Sequence, residues 1–365
     1  MKYRFIVLMF LTPMLILAVL PFLLWQLKDV EHKSIQVIDK TVPKNDYREH
    51  LGLFWLLDHR KAVKADGEYY RKETDYYGYD PESQSGETGL EIEKEVDLIY
   101  VADTYGIYTE DLRDKPTGER SKLIYGGLTI FDWNKIIEAK DEDVTLILEF
   151  NSIASPTDHT TRSIVEKEMG FQWSGWIGRH FKDLSSDEIP PWLIRNYESQ
   201  YRDDWRFEGE GLTFVHESDR VVVLNEEDIR GRVLFKWLDP GVQHYPKATN
   251  SRYHYWFDII EPDEDTLIEA EYEIDMVKSG RTKLEENGIP THFPAVIRLP
   301  DERKYYFAGD FADIPVDYNS RWTLPDVFYG IYSFFHPDEE FFWKSYIPMM
   351  DQILEETNSS TDGSL

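Results

Sequence analysis

The 365-residue chain contains no cysteine. That absence excludes disulfides, thiolate metal sites and thiol nucleophiles together. Basic residues are scarce, with 40 Lys and Arg against 69 Asp and Glu and a formal net charge of −29. So acidic a surface repels nucleic acid phosphates, and no nucleic acid partner is expected. The chain also lacks a Gly/Ser linker, an internal repeat, an H-E-x-x-H pair and a G-x-S-x-G elbow. Its ten histidines are scattered without ligand spacing. No cofactor is expected, and an oxygen-only calcium or magnesium site among the carboxylates is the one metal arrangement left open. Aromatic residues make up 15% of the chain, too many for a segment unable to form a core.

What is present first is an apolar run. From Phe5 to Leu27 no residue is charged, and Leu, Ile, Val, Phe and Met dominate. A bilayer core asks for about 20 apolar residues in a helix, so residues 1–28 are expected to form a transmembrane signal-anchor helix. The lipid bilayer is then a partner through residues 5–27. Lys2 and Arg4 precede the run, which favours a single-pass protein of the cell membrane with its body extracytoplasmic. A cleaved signal peptide is the rival, although Trp25-Gln26-Leu27-Lys28 offers no small-x-small cleavage site.

Beyond the anchor, residues 34–320 read as one α/β domain with insertions, and residues 321–365 as a C-terminal helix and disordered tail. Ser34–Val42, Val96–Ala102 and Val144–Phe150 are strand-like, the last two as continuous apolar runs that require cover on both faces. Tyr47–Asp58, Asp132–Ala139 and Thr160–Met169 have helical patterns, the last with Ser155, Thr157 or Asp158 available as N-cap. The alternation predicts a mostly parallel, flavodoxin-like sheet with Ser34–Val42, Val96–Ala102 and Val144–Phe150 as neighbours. After Val233 the strand-like segments alternate apolar and polar residues, a β-rich elaboration with one wet face. Phe334–Leu354 reads as a closing helix, and Phe171–Phe181 (FQWSGWIGRHF) as a Trp-rich loop packed over the sheet.

In an open α/β sheet, ligands bind beyond the carboxyl ends of the strands. Here those ends carry Asp39-Lys40-Thr41, Asp103-Thr104-Tyr105-Gly106, Glu149-Phe150-Asn151-Ser152 and Gly309-Asp310-Phe311-Ala312-Asp313. Each polar residue alone is an ordinary cap or turn residue; four ends of one chemical character point to a site. Asp103 and Glu149 are the preferred pair for acid–base work on a glycosidic bond, with Asp39 in reserve. Lys40, Thr41, Thr104, Tyr105, Asn151 and Asp310 are the candidate ligand contacts. Trp173, Trp176 and Arg179 are candidates for a wall on which a sugar ring stacks.

The order of strand, DTYG turn, GG turn and acid-ended strand, with a late AGDFAD segment, resembles the class I glutamine amidotransferase-like fold. The likeness is to its non-amidotransferase branch of sugar-utilisation and galactosidase-associated domains, over Ser34 to Asp313. The resemblance implies a repurposed site, because the family's cysteine nucleophile has no counterpart here. The functional expectation is recognition or processing of an envelope or extracellular glycan. The alternatives are a scaffold that assembles with membrane-protein partners, or a metal-assisted hydrolase.

Overall fold

The computed structural model describes residues 19–83, 91–92, 95–113, 117–325 and 327–358. Four strands build a parallel half-sheet: β1 (Ile35–Asp39), β2 (Tyr77–Gly78), β3 (Leu98–Asp103) and β4 (Thr145–Glu149). Every residue of β1, β3 and β4 is buried, which is why these runs carry almost no alternation. β3 lies between β1 and β4, parallel to both, as the expectation for these neighbours had it. The covering helices are α1 (Arg48–Arg60), α2 (Ile130–Ala139) and α3 (His159–Met169). Asp158 is the residue that caps α3, accepting from the Thr160 and Thr161 amides.

The segment expected as a loop over the sheet is instead the longest strand, β5 (Phe171–Phe181). Its glycines make the strand viable among so many rings: a Cβ on Gly178 would lie 2.5 Å from the Phe257 ring. Helix α4 (Pro191–Tyr201) follows, then β6 (Gly211–His216) and β7 (Val221–Leu224). The remaining strands of the two large sheets are β8 (Val233–Trp237), β9 (Ser251–Tyr253), β10 (Trp256–Pro262), β11 (Leu267–Glu273), β12 (Pro294–Leu299) and β13 (Lys304–Phe307). A four-stranded antiparallel sheet runs in the order β7-β6-β5-β10, and a nine-stranded sheet in the order β9-β8-β11-β12-β13-β4-β3-β1-β2.

Two parts of the expected fold class are corrected. The large sheet is mixed rather than mostly parallel, because β8, β9, β11 and β12 pair antiparallel within it. The half-buried alternation of β8 reflects hairpin-type pairing with one wet face. β13 joins the halves, parallel to β4 on one side and antiparallel to β12 on the other.

The second correction is to the transmembrane helix. Among the described residues no helix is long and apolar enough to cross a membrane. The described part of the apolar run, helical over residues 19–27, touches the body through Trp25, while Val19, Leu20, Phe22, Leu23, Leu24 and Leu27 stay exposed. Trp25 is buried and its Nε1 donates to the carbonyls of Asp58 (3.3 Å) and His59 (3.0 Å). Lys61 Nζ closes the helix end on the Gln26 and Lys28 carbonyls. Residues 5–18 of the expected span, and the expected tail beyond residue 358, lie outside the described residues.

The C-terminal stretch is broken rather than one helix. A helix over Val327–Phe335 is followed by a π-helical turn at Phe342–Tyr346 and then α5 (Ile347–Asn358). The wide turn lets Phe342 and Trp343 reach the α1 face at Trp55, while Tyr346 reaches Tyr100 in β3.

Candidate functional site: an acidic edge on the parallel half-sheet

Strand register brings the first two acids together, since Asp39 and Asp103 are direct neighbours across β1 and β3. Asp39 is fully buried. It accepts from the Thr41 amide (2.8 Å) and lies 2.6 Å from His50 Nδ1, whose Nε2 faces the Lys72 carbonyl at 3.0 Å. Both ring nitrogens of His50 therefore face oxygens. His50 was not singled out for chemistry in the sequence, where nothing but its place in the first turn of α1 marks it.

Asp103 has three donors: Thr41 Oγ1 (2.6 Å), the Tyr105 amide, and Asn151 Nδ2 (3.3 Å). Burial still pushes its carboxyl up to about 7, with the charge of Asp39 adding to that and the three donors opposing it. Glu149 is buried beneath this edge and accepts from Tyr100 and from the Phe311 and Ala312 amides. Burial holds it well above the usual carboxylate range despite those bonds.

The segment after β13 is seated by a glycine. The Gly52 amide in α1 donates to the Ala312 carbonyl at 2.8 Å, and a Cβ on Gly52 would come within 2.8 Å of the same oxygen. That close approach places Asp310 and Asp313 against the first turn of α1. Asp313 is gripped bidentately by Arg48 at 3.0 and 2.8 Å. Asp310 has no hydrogen-bond donor and no cation within ion-pair distance among the described residues. Burial, then the charges of Asp103, Asp313, Glu149 and Asp258, push it well above its ordinary range. Glu49 in α1 is in the same position, raised by burial and by Asp313, Asp103, Asp310 and Asp39. Asp258 in β10, fully buried beneath Tyr306, is pushed up to about 7 by burial.

The other expected site residues make contacts of their own. Lys40 turns away from the edge to Asp132 (2.7 Å) and the Gly127 carbonyl (3.0 Å), where Asp132 also closes the capping box of α2 with Thr129. Thr104 ties its turn to the Asn151 and Ser152 carbonyls, both at 3.1 Å. Tyr105 is exposed and packs on Tyr108 with ring centroids 4.9 Å apart. Trp173 lies under the Arg162 guanidinium, and Trp176 is buried against His216 and Arg220. Arg179 sits over the Phe181 and Trp256 rings, and its Nε finds no acceptor among the described residues. Glu49, Arg48, Asp258 and Asp313 complete the edge without having been singled out as site residues, Asp313 standing at the end of the AGDFAD segment.

Among the described residues no three His, Asp or Glu side chains are grouped so as to hold a metal ion. The edge instead offers carboxyl groups that change charge near neutrality, some with donors and two without.

No family model matches the chain, and no curated protein matches it. Among solved structures, a thua-like protein from Bacteroides uniformis aligns over 89% of this chain and 91% of its own, with 10% identity and a TM-score of 0.32. A likeness that weak carries neither fold nor function across.

Proposed function

We propose that the acidic edge binds a carbohydrate and supplies the acid–base groups for processing it. The observation that carries this reading is Glu49 with Asp310, two carboxyl groups set among other acids with neither donor nor cation at contact distance among the described residues. Both are half-buried, so their outer oxygens remain open to a ligand, and carboxyl groups crowded in this way concentrate at functional sites. Sugar hydroxyls donate and accept at once, so they satisfy a protonated carboxyl and an ionised carboxylate alike. Asp103, changing charge at about 7, suits proton transfer at neutral pH. The exposed Tyr105 beside it, packed on the half-buried Tyr108, offers a ring face for stacking.

Calorimetric titration of the wild-type chain, Asp310→Asn and Glu49→Gln against a panel of oligosaccharides tests the proposal. Wild type is expected to bind at least one of them, and each variant to lose most of that affinity while melting no lower than wild type. Unchanged affinity in both variants would remove the edge from the binding site.

A second reading, a non-catalytic scaffold, is supported by one feature. Ile331, Phe334 and Phe335 of the helix Val327–Phe335 are exposed, the last two by 79% and 70%. Loss of a partner complex in Phe334→Ser, with oligosaccharide binding intact, would favour it.

A further inference from the structure

We propose that Asn151 is the positioning residue of the acidic edge: a left-handed turn aims its amide so that one N–H fixes Asp103 while the amide oxygen stays open to ligand. The inference rests on the carbohydrate reading of this edge and names the residue that sets its geometry.

Asn151 stands two residues beyond β4 with φ 62°. Tyr47, Lys61, Arg202 and Arg303 share that conformation as helix caps, and Asp219 as a hairpin turn. Asn151 alone among the described non-glycine residues adopts it on a strand-to-helix connection at the carboxyl edge. Asparagine tolerates this region better than most side chains, and here the turn is clamped. The Ser152 amide donates to the Glu149 carbonyl (3.2 Å), and Thr104 Oγ1 holds the Asn151 carbonyl from the neighbouring strand end.

The clamp fixes three directions. Nδ2 donates to Asp103 Oδ2 at 3.3 Å, which also defines which end of the amide is nitrogen. The backbone N–H faces Asp258 on the four-stranded sheet. The amide oxygen has no partner among the described residues, and the side chain is half-buried. A turn of this kind lifts its residue above the sheet edge, the place where hydrolases of α/β type present a nucleophile. A carboxamide is no nucleophile, so its contribution is hydrogen bonding and the orientation of Asp103.

The groups facing Asp103 define what is lost without it. Asp39 on β1, Glu49 on α1, Glu149 on β4 and Asp310 after β13 are all acids. Thr41, the Tyr105 amide and Asn151 are the donors that oppose them. Removing one donor in three raises the pH at which Asp103 ionises.

Asn151→Gly is the test, because glycine keeps the left-handed backbone without strain; Asn151→Ala serves as the comparison that also disturbs the turn. Carbon-detected NMR of labelled aspartate carboxyls, with Asp103→Asn for assignment, follows Asp103 against pH. In Asn151→Gly its midpoint is expected to rise by about half a unit to one unit, the scale of one hydrogen bond. Oligosaccharide affinity is expected to fall about tenfold, with its pH dependence displaced upward by the same amount. An unmoved midpoint would overturn the positioning role. A moved midpoint with unchanged affinity would overturn the ligand-facing role of the amide. If the wild-type chain binds no oligosaccharide, the carbohydrate reading fails, and the NMR midpoint still decides whether Asn151 governs Asp103.

Discussion

The molecule buries acids in two places and treats them differently. At the far end of the mixed sheet, Glu269 is fully buried on β11 but saturated: His244 Nδ1 lies at 2.8 Å, the Tyr245 hydroxyl at 2.8 Å and Arg298 Nε at 2.6 Å. His244 reaches on to Glu356 in α5 at 2.9 Å, so the cluster alternates in charge. At the parallel edge, Glu49 and Asp310 are crowded by other acids with no cation at ion-pair distance among the described residues, because the nearby cations are engaged: Arg48 by Asp313 and Arg179 by Glu188. One cluster is built to hold the fold. The other gathers acids whose burial and mutual repulsion disfavour their charged forms.

The sharpest way to break this contrast is to neutralise one acid from each cluster. Glu269→Gln strands Arg298 and His244 in a poorly hydrated place and is expected to cost about 3–5 kcal/mol. Asp310→Asn removes a repelled charge and is expected to be neutral or stabilising. Urea denaturation of both variants decides the matter, and equal losses would erase the distinction.

A smaller effect separates the clusters by pH. Asp103 and Asp258 ionise at about 7 in the fold, against about 4 when unfolded. The folded state therefore binds more protons in that interval, and stability falls as pH rises from about 4 to 7. For His244 burial opposes the charged form, but the bonds to Glu269 and Glu356 outweigh it and raise the ring to about 9. Its contribution is complete below about 6.5 and fades as pH climbs through 9. Two separate declines in melting temperature are expected, the first shallower in Asp103→Asn and the second absent in His244→Gln. A single decline untouched by either variant would refute the assignment.

The smallest expected change is at the surface. Tyr105→Ala should alter stability by no more than about 0.5 kcal/mol, as exposed substitutions generally do, yet weaken oligosaccharide binding. A large drop in melting temperature would make Tyr105 part of the structural half of the contrast.

Much of this was readable in advance where burial is complete. β1, β3 and β4 betray themselves because strands covered on both faces need no alternation. The four acid-bearing strand ends were legible by the same logic. β5 escaped because its rings and glycines imitate a loop, and only the Phe257 ring over Gly178 explains them. Lys40 adjoins Asp39 in sequence yet points to α2, a direction that depends on where Asp132 lies. Glu49 and Arg48 look like ordinary first-turn charges, and only the packing of Gly52 against Ala312 brings the late segment to them. At the apolar N-terminal run, hydropathy does not register that Trp25 docks on the body, and no helix among the described residues is long and apolar enough to cross a membrane.

The junction strand β13 has a consequence for the order in which the chain is made. Its parallel partner β4 is complete about 150 residues earlier, and so are the side chain of Glu149 and the first turn of α1. Both wait for Phe311–Asp313, the first of which emerges from synthesis 162 residues after Glu149, and Tyr346 arrives later still. Until then Glu149 has no backbone donors and the parallel half-sheet has an open flank. Contacts so distant in sequence close slowly, and a nascent chain halted before β13 would present that flank to any other strand within reach.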